Sequence, residues 1–142
     1  HWIGRQLPPG LALRDVTNAH AVLNLCGPRA RAVLAAVTDD DLSNAAFPFL
    51  TAREIGVGMA PALAVRLGYV GELGWELHVP VDQAAHVHET LTEAGAAHGL
   101  ALAGYRAIES CRLEKGYLYW SADITPDTTP PEAGLGFAVA MG

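Results

Sequence analysis

The sequence predicts an α+β domain, an antiparallel sheet with helices packed on one face. Three observations carry that expectation. Short segments alternate apolar and polar residues as half-buried strands do, two of them flanking a glycine-rich turn. Other segments carry apolar residues at helical spacing. The resulting order, β-α-β-β-β-α-α-β, groups helices between strands, which argues against a doubly wound sheet. The chain has 142 residues, 51% of them hydrophobic, enough for one core. Aromatic residues are only 7%, so Leu, Val and Ala must do most of the packing.

Leu11–Val16 (LALRDV) alternates and reads as a first strand. Ala21–Leu25 (AVLNL) reads as a second, closed by Gly27-Pro28. Pro28 suits the first turn of a helix, and Arg29–Val37 places Val33, Leu34 and Val37 on one stripe. Thr38-Asp39-Asp40-Asp41 stops that helix and reads as a solvated loop, because cation loops intersperse their oxygen ligands around a turn glycine. Thr51–Val57 is a strand broken by glycine. Ala62–Val70 and Trp75–Val79 flank the turn Gly71–Gly74 as a β-hairpin, ended by Pro80. Asp82 reads as the N-cap of a helix ending at Gly95. A further helix spans about Ala103–Lys115, with Ile108, Cys111 and Leu113 available for packing and Gly116 as its stop. A long loop rich in Pro, Gly, Thr and Asp follows, and Phe137–Ala140 reads as a last strand.

The net charge of -6 and the scattered nine Lys and Arg exclude a duplex nucleic-acid partner, which needs clustered cations to displace phosphate counterions. No membrane partner is expected either, since no stretch reaches the ~18–20 consecutive apolar residues of a spanning helix. No basic region precedes an apolar run, as a signal peptide would require. Cys26 and Cys111, far apart in sequence, read as small buried hydrophobes and not as a disulfide framework. The expected compartment is a reducing cytoplasm. The chain opens on His1-Trp2 and ends at Met141-Gly142 after an apolar run, as a piece of a longer protein would.

Of the six histidines, none has a partner at metal-ligand spacing, so no metal is expected. The segment Gly68–Gly74 is glycine-rich but leads into a strand, whereas a nucleotide fingerprint needs a helix N-terminus there. Ser110 and Cys111 lie mid-helix, and no nucleophile motif is present. Arg106 and Arg112 each stand three residues from Glu109 and read as helix-surface ion pairs, worth ~0.2–0.5 kcal/mol. The hairpin carries more chemistry. If Val70 pairs with Trp75, then Tyr69 lies opposite Glu76, Gly68 opposite Leu77 and Leu67 opposite His78. One face then presents Tyr69, Glu76, Leu67 and His78. An aromatic ring beside a carboxylate suits a flat heterocycle with two adjacent N–H donors, the ring stacking and the carboxylate accepting both. A solvent-facing strand with an ordinary glutamate explains the same pattern, and the residues alone leave both readings open.

Four segments, LNLCGPRAR (23–31), YVGELGWELHV (69–79), GYRAIESCRLEKGY (104–117) and ADITPDTTPPEAGLGF (122–137), together resemble the folate-binding aminomethyltransferase family. That family holds the glycine cleavage T-protein and the folate domains of dimethylglycine and sarcosine dehydrogenases. The RLEKGY wording and the long loop resemble the dehydrogenase branch more closely. The resemblance implies that 1–142 is one partial folate-binding domain, a ferredoxin-like half lacking the N-terminal segment and the C-terminal barrel. It implies tetrahydrofolate as cofactor, with FAD only in a separate domain if the parent is a dehydrogenase. It matches Glu76, Tyr69 and Arg106 to the family's pterin-binding positions, Arg106 either keeping Glu76 charged or contacting folate. Tyr119 and Trp120 are further candidates for ligand contact. The family's catalytic aspartate lies upstream and has no match, so no catalytic residue is assigned. The implied function is the tetrahydrofolate-binding part of a one-carbon transfer enzyme, in which N5 of the reduced pterin accepts the carbon and 5,10-methylenetetrahydrofolate is the product. The alternative is a non-catalytic folate-binding or interaction module retaining the fold. The implied partners are folate, the remainder of the parent enzyme and, through sheet edges that missing strands would expose, a second copy.

Overall fold

The computed structural model describes residues 2–140. Four strands form one antiparallel sheet: β1 His20–Cys26, β2 Ala52–Val57, β3 Ala60–Val65 and β4 Gly74–Pro80, in the order β1-β4-β3-β2. The helices are α1 Trp2–Gln6, α2 Ala30–Ala35, α3 Ala84–Ala96 and α4 Tyr105–Glu114. This is the expected α+β architecture. None of the described helices is long and apolar enough to cross a membrane.

The period of a strand decides which residues form the core. Ile55 and Val57 on β2, Ala60, Ala62 and Ala64 on β3, and Trp75, Leu77 and Val79 on β4 are buried. They meet Ala30, Val33 and Leu34 of α2 and Val87 and Leu91 of α3 in one cluster, so both helices cover the same face. Phe47 enters from the preceding loop, its ring edge-on to Trp75 at 6.2 Å between centroids. The Arg31 and Arg66 guanidiniums lie over Trp75 at 5.5 and 5.9 Å, and both donate to Asn44 Oδ1 at 2.7 Å. Burial, and then the charge of Arg31, pull the Arg66 pKa below its usual value.

A two-residue turn joins β2 to β3. Its first residue, Gly58, has φ 57°, and a side chain there would also meet His86 Nε2. His86 accepts a hydrogen bond from the Met59 N–H at 3.2 Å, tying α3 to this turn. The acidic triplet is not merely a solvated loop. Asp40 accepts from the Gly56 N–H at 3.1 Å and stands 3.7 Å from Arg53, so it holds the outer edge of β2. Asp41 caps the Ser43 N–H at 2.8 Å, the main cause that holds its carboxyl below the usual range.

Several expectations need correction. Leu11–Val16 forms no strand: Leu11, Leu13 and Val16 are exposed, and no described strand lies beside them to complete a ladder. Asp15 instead accepts from the Thr17 N–H at 2.9 Å and starts a short 3-10 turn. Phe137–Ala140 forms a 3-10 turn at Gly136–Ala138 for the same want of a neighbouring edge. Asp82 does not cap α3, because a 3-10 turn over Val81–Gln83 intervenes. The cysteines are free, Cys26 exposed on an outward position of β1 and Cys111 half-buried. In α4, Leu113 is exposed and Arg112 is buried instead.

Candidate functional site

The sheet face opposite the core carries the candidate residues Glu76 and His78. Its residues alternate with the buried set, and no residue of α2 or α3 reaches the core cluster from this side. In one row across the strands stand Asn24, Glu76, Val65 and Ala52; in the next stand Val22, His78, Leu63 and Glu54. Glu76 and His78, two residues apart on β4, therefore share this face. Their side chains are 29% and 33% exposed, and His78 Nε2 lies 3.8 Å from Glu76 Oε2. Val22, Leu63 and Val65 surround the pair with apolar surface, Val22 and Leu63 remaining exposed.

The expected hairpin register does not form. Val65, not Tyr69, pairs with Glu76, and Leu63, not Leu67, pairs with His78. The reason lies in loop 66–73. The Leu67 N–H donates back to the Val65 carbonyl at 2.9 Å, a three-residue turn that bends the chain out of the ladder. The Arg66 side chain turns inward to the Phe47 carbonyl and Asn44. At the far end of the loop, Gly74 comes so close to β1 that a Cβ would lie 2.7 Å from the Leu25 carbonyl oxygen. The offset from Tyr69 to Val65 is four residues, an even number, so sidedness is preserved and Glu76 and His78 stay together.

Tyr69 thus sits in the loop and not on the ladder. Its ring stacks on Tyr117 at 5.8 Å with 26° between planes, and its hydroxyl donates to the Leu118 carbonyl. The hydroxyl is thereby engaged. Arg106 lies in the first turn of α4 and is exposed; among the described residues its guanidinium has no hydrogen-bond or ion-pair partner. The side chain that stands beside Glu76 is His78.

The residue that spacing missed is Asp123. Buried Arg112 donates to Asp123, to Glu109 and, at 2.8 Å, to the Tyr117 carbonyl, and lies 5.6 Å from the Tyr119 ring centroid. Asp123 also accepts from the Tyr119 N–H at 2.7 Å. That backbone bond first, and then Arg112, hold the Asp123 carboxyl below the usual range against partial desolvation. Glu109 and Asp123 in turn raise the Arg112 pKa. Arg112 is therefore the tether of residues 117–123 to α4 and not a surface pair. Gly116, at φ 73°, lets the Tyr117 N–H return to the Arg112 carbonyl at 2.9 Å, so the tether begins at the helix stop. Through it, Tyr117 is set against Tyr69.

Residues 1–142 match the GCVT N-terminal domain family along their whole length. The chain belongs to that family. It is 48% identical over 129 residues to the mitochondrial sarcosine dehydrogenase of Homo sapiens, covering 91% of this chain and 14% of the relative. It is 37% identical over 129 residues to the mitochondrial dimethylglycine dehydrogenase of Mus musculus, again 91% of this chain and 15% of the relative. An aminomethyltransferase of Bacillus licheniformis is 36% identical over 138 residues, 97% of this chain and 38% of the relative. Identity is higher to the sarcosine dehydrogenase than to the aminomethyltransferase, as the RLEKGY segment led one to expect. The chain spans only about a seventh of the dehydrogenases it matches.

Proposed function

We propose that this chain is the tetrahydrofolate-binding part of a one-carbon transfer enzyme of the sarcosine or dimethylglycine dehydrogenase type. The observation that carries the reading is the half-buried Glu76 carboxylate, standing beside His78, opposite Asn24 and flanked by Val22, Leu63 and Val65 on the open sheet face, next to the loop that presents Tyr69. This donor set fits a reduced pterin. A carboxylate accepts two adjacent N–H donors in a fork, the apolar residues Val22, Leu63 and Val65 offer contact to a flat ring, and Tyr69 offers a stacking face. When bound, the reduced folate supplies a ring nitrogen that accepts the one-carbon unit. The work of this chain is orientation and exclusion of water, which keeps the carbon from being lost as formaldehyde. Arg106, exposed on α4, contacts folate away from Glu76 in this reading. The folate and the remainder of the parent protein are its partners, the unpaired edges of β1 and β2 are where a second copy would add, and a reducing compartment, the cytoplasm, suits the two free thiols.

Isothermal titration of 5-formyltetrahydrofolate, an air-stable reduced folate, into the full-length protein tests this. Wild type should bind, and Glu76→Ala should lose at least about tenfold in affinity, as removal of a charged hydrogen-bond acceptor does. Equal binding by both proteins refutes the reading. Binding without methylene transfer, when the amine donor and unsubstituted tetrahydrofolate, whose N5 is free, are supplied, marks the protein as a folate-binding module without chemistry.

A further inference from the structure

Glu76 needs a countercharge once a ligand covers it. A carboxylate that exchanges water for two neutral N–H donors stays ionised only where a cation or further donors stand beside it. Arg112 is committed to Glu109 and Asp123. Arg106 has no ionic partner among the described residues. His78 projects from the same strand to the same face, with Nε2 3.8 Å from Glu76 Oε2. Its cross-strand neighbours, Val22 on β1 and Leu63 on β3, are apolar, so the nearest ionisable group on this face is Glu76. The other titratable groups facing this side are Glu54 on β2, beyond Leu63, and His20 and Cys26 at the two ends of β1; Cys111 and Glu72 stand near Cys26. Both helices that pack on the sheet, α2 and α3, cover the opposite face.

We propose that His78 is the positioning residue for Glu76 and takes up a proton when reduced folate covers the pair. The inference rests on the reading of this face as the folate site. Imidazole is the side chain whose charge can change in the physiological pH range, and water screens the pair while the face is open. A ligand lying over the face removes that water, and the attraction between carboxylate and imidazolium strengthens. Ligand binding therefore raises the imidazole pKa. The sign follows by linkage: the added affinity is complete below the free-state value and disappears as pH rises through the bound-state value. Affinity should thus fall from about pH 6 to about pH 8, with protons taken up on binding.

The test is calorimetric titration of 5-formyltetrahydrofolate into the full-length protein across that range, in two buffers of different ionisation enthalpy. Wild type should weaken about three- to tenfold toward pH 8 and show proton uptake. His78→Gln should be flat and, at the acid end, as weak as wild type at the alkaline end. His78→Lys, with its charge fixed, should bind tightly and without pH dependence, which separates charge from folding. Glu54→Gln should keep the wild-type profile. A pH profile retained by His78→Gln, or a flat one in wild type, overturns the inference alone. No binding by wild type, or full binding by Glu76→Gln, overturns the folate reading and this inference with it.

Discussion

The two faces of the one sheet are built to opposite ends. On β4, Trp75, Leu77 and Val79 are fully buried against α2 and α3, while Glu76 and His78, interleaved with them, stand half-exposed on the other side. Adjacent residues of a single strand thus answer to different physics. The inward ones gain from leaving water and lose when a cavity is made. The outward ones add little to stability, because an exposed ion pair is screened, and they matter only when something covers them. Substitutions on one face should move stability without touching affinity, and those on the other should do the reverse.

The largest effect expected is from the inward face. Leu77→Ala should cost about 2–5 kcal/mol in unfolding free energy, read by denaturant titration, and leave folate affinity unchanged where the protein is folded. A loss of affinity matching the loss of stability would break the separation of faces. Next comes the tether. Asp123→Asn should lower the melting temperature by about 5 °C or more and weaken folate binding through Tyr117 and Tyr69. Because the Asp123 carboxyl is held below its usual range, its contribution is present above the unfolded value of 3.8 and is lost as pH falls through the lower folded value. The acid limb of the stability profile should therefore be shallower in Asp123→Asn, as acid unfolding followed by circular dichroism will show. A smaller effect is expected at Tyr69. Tyr69→Phe keeps the ring on Tyr117 and should bind folate nearly as wild type, whereas Tyr69→Leu should lose about two- to tenfold in affinity. Smallest is Lys115→Ala. Its exposed pair with Glu72 spans 4.0 Å and is worth at most about 1 kcal/mol, so the melting temperature should hardly change.

The part of this division that alternation controls was legible from residue order. Period two assigned Trp75, Leu77 and Val79 to one side and Glu76 and His78 to the other, and an even slip in register left that assignment intact. What alternation does not encode is where a strand stops. Gly68, Tyr69 and Val70 continue the pattern of β3, yet the chain turns away after Arg66, whose backbone still pairs with Thr51 and Leu50, as the Leu67 N–H bends back to the Val65 carbonyl and the Arg66 side chain reaches Phe47 and Asn44, distant in sequence. The same blindness to partners turned Leu11–Val16 and Phe137–Ala140 into expected strands, since an apolar run forms a strand only beside another edge. Arg112 was read from its helical neighbour Glu109 alone, and its burial depends on Asp123 in a loop that carries no periodicity at all. Glu76 as a candidate ligand residue came from the strand pattern; Arg106 came from family resemblance, and the side chain that the structure sets beside Glu76 is His78.

The ligand-induced shift of the melting transition in three forms of the full-length protein tests the central claim most directly. A ligand at about a hundred times its Kd stabilises the native state by about 2.7 kcal/mol, and the transition that Leu77→Ala lowers identifies this domain. Wild type and Leu77→Ala should both shift upward with reduced folate, from different starting temperatures. Glu76→Gln should melt with the wild type and show no shift. An upward shift in Glu76→Gln equal to that of the wild type would contradict the assignment of recognition to the open face.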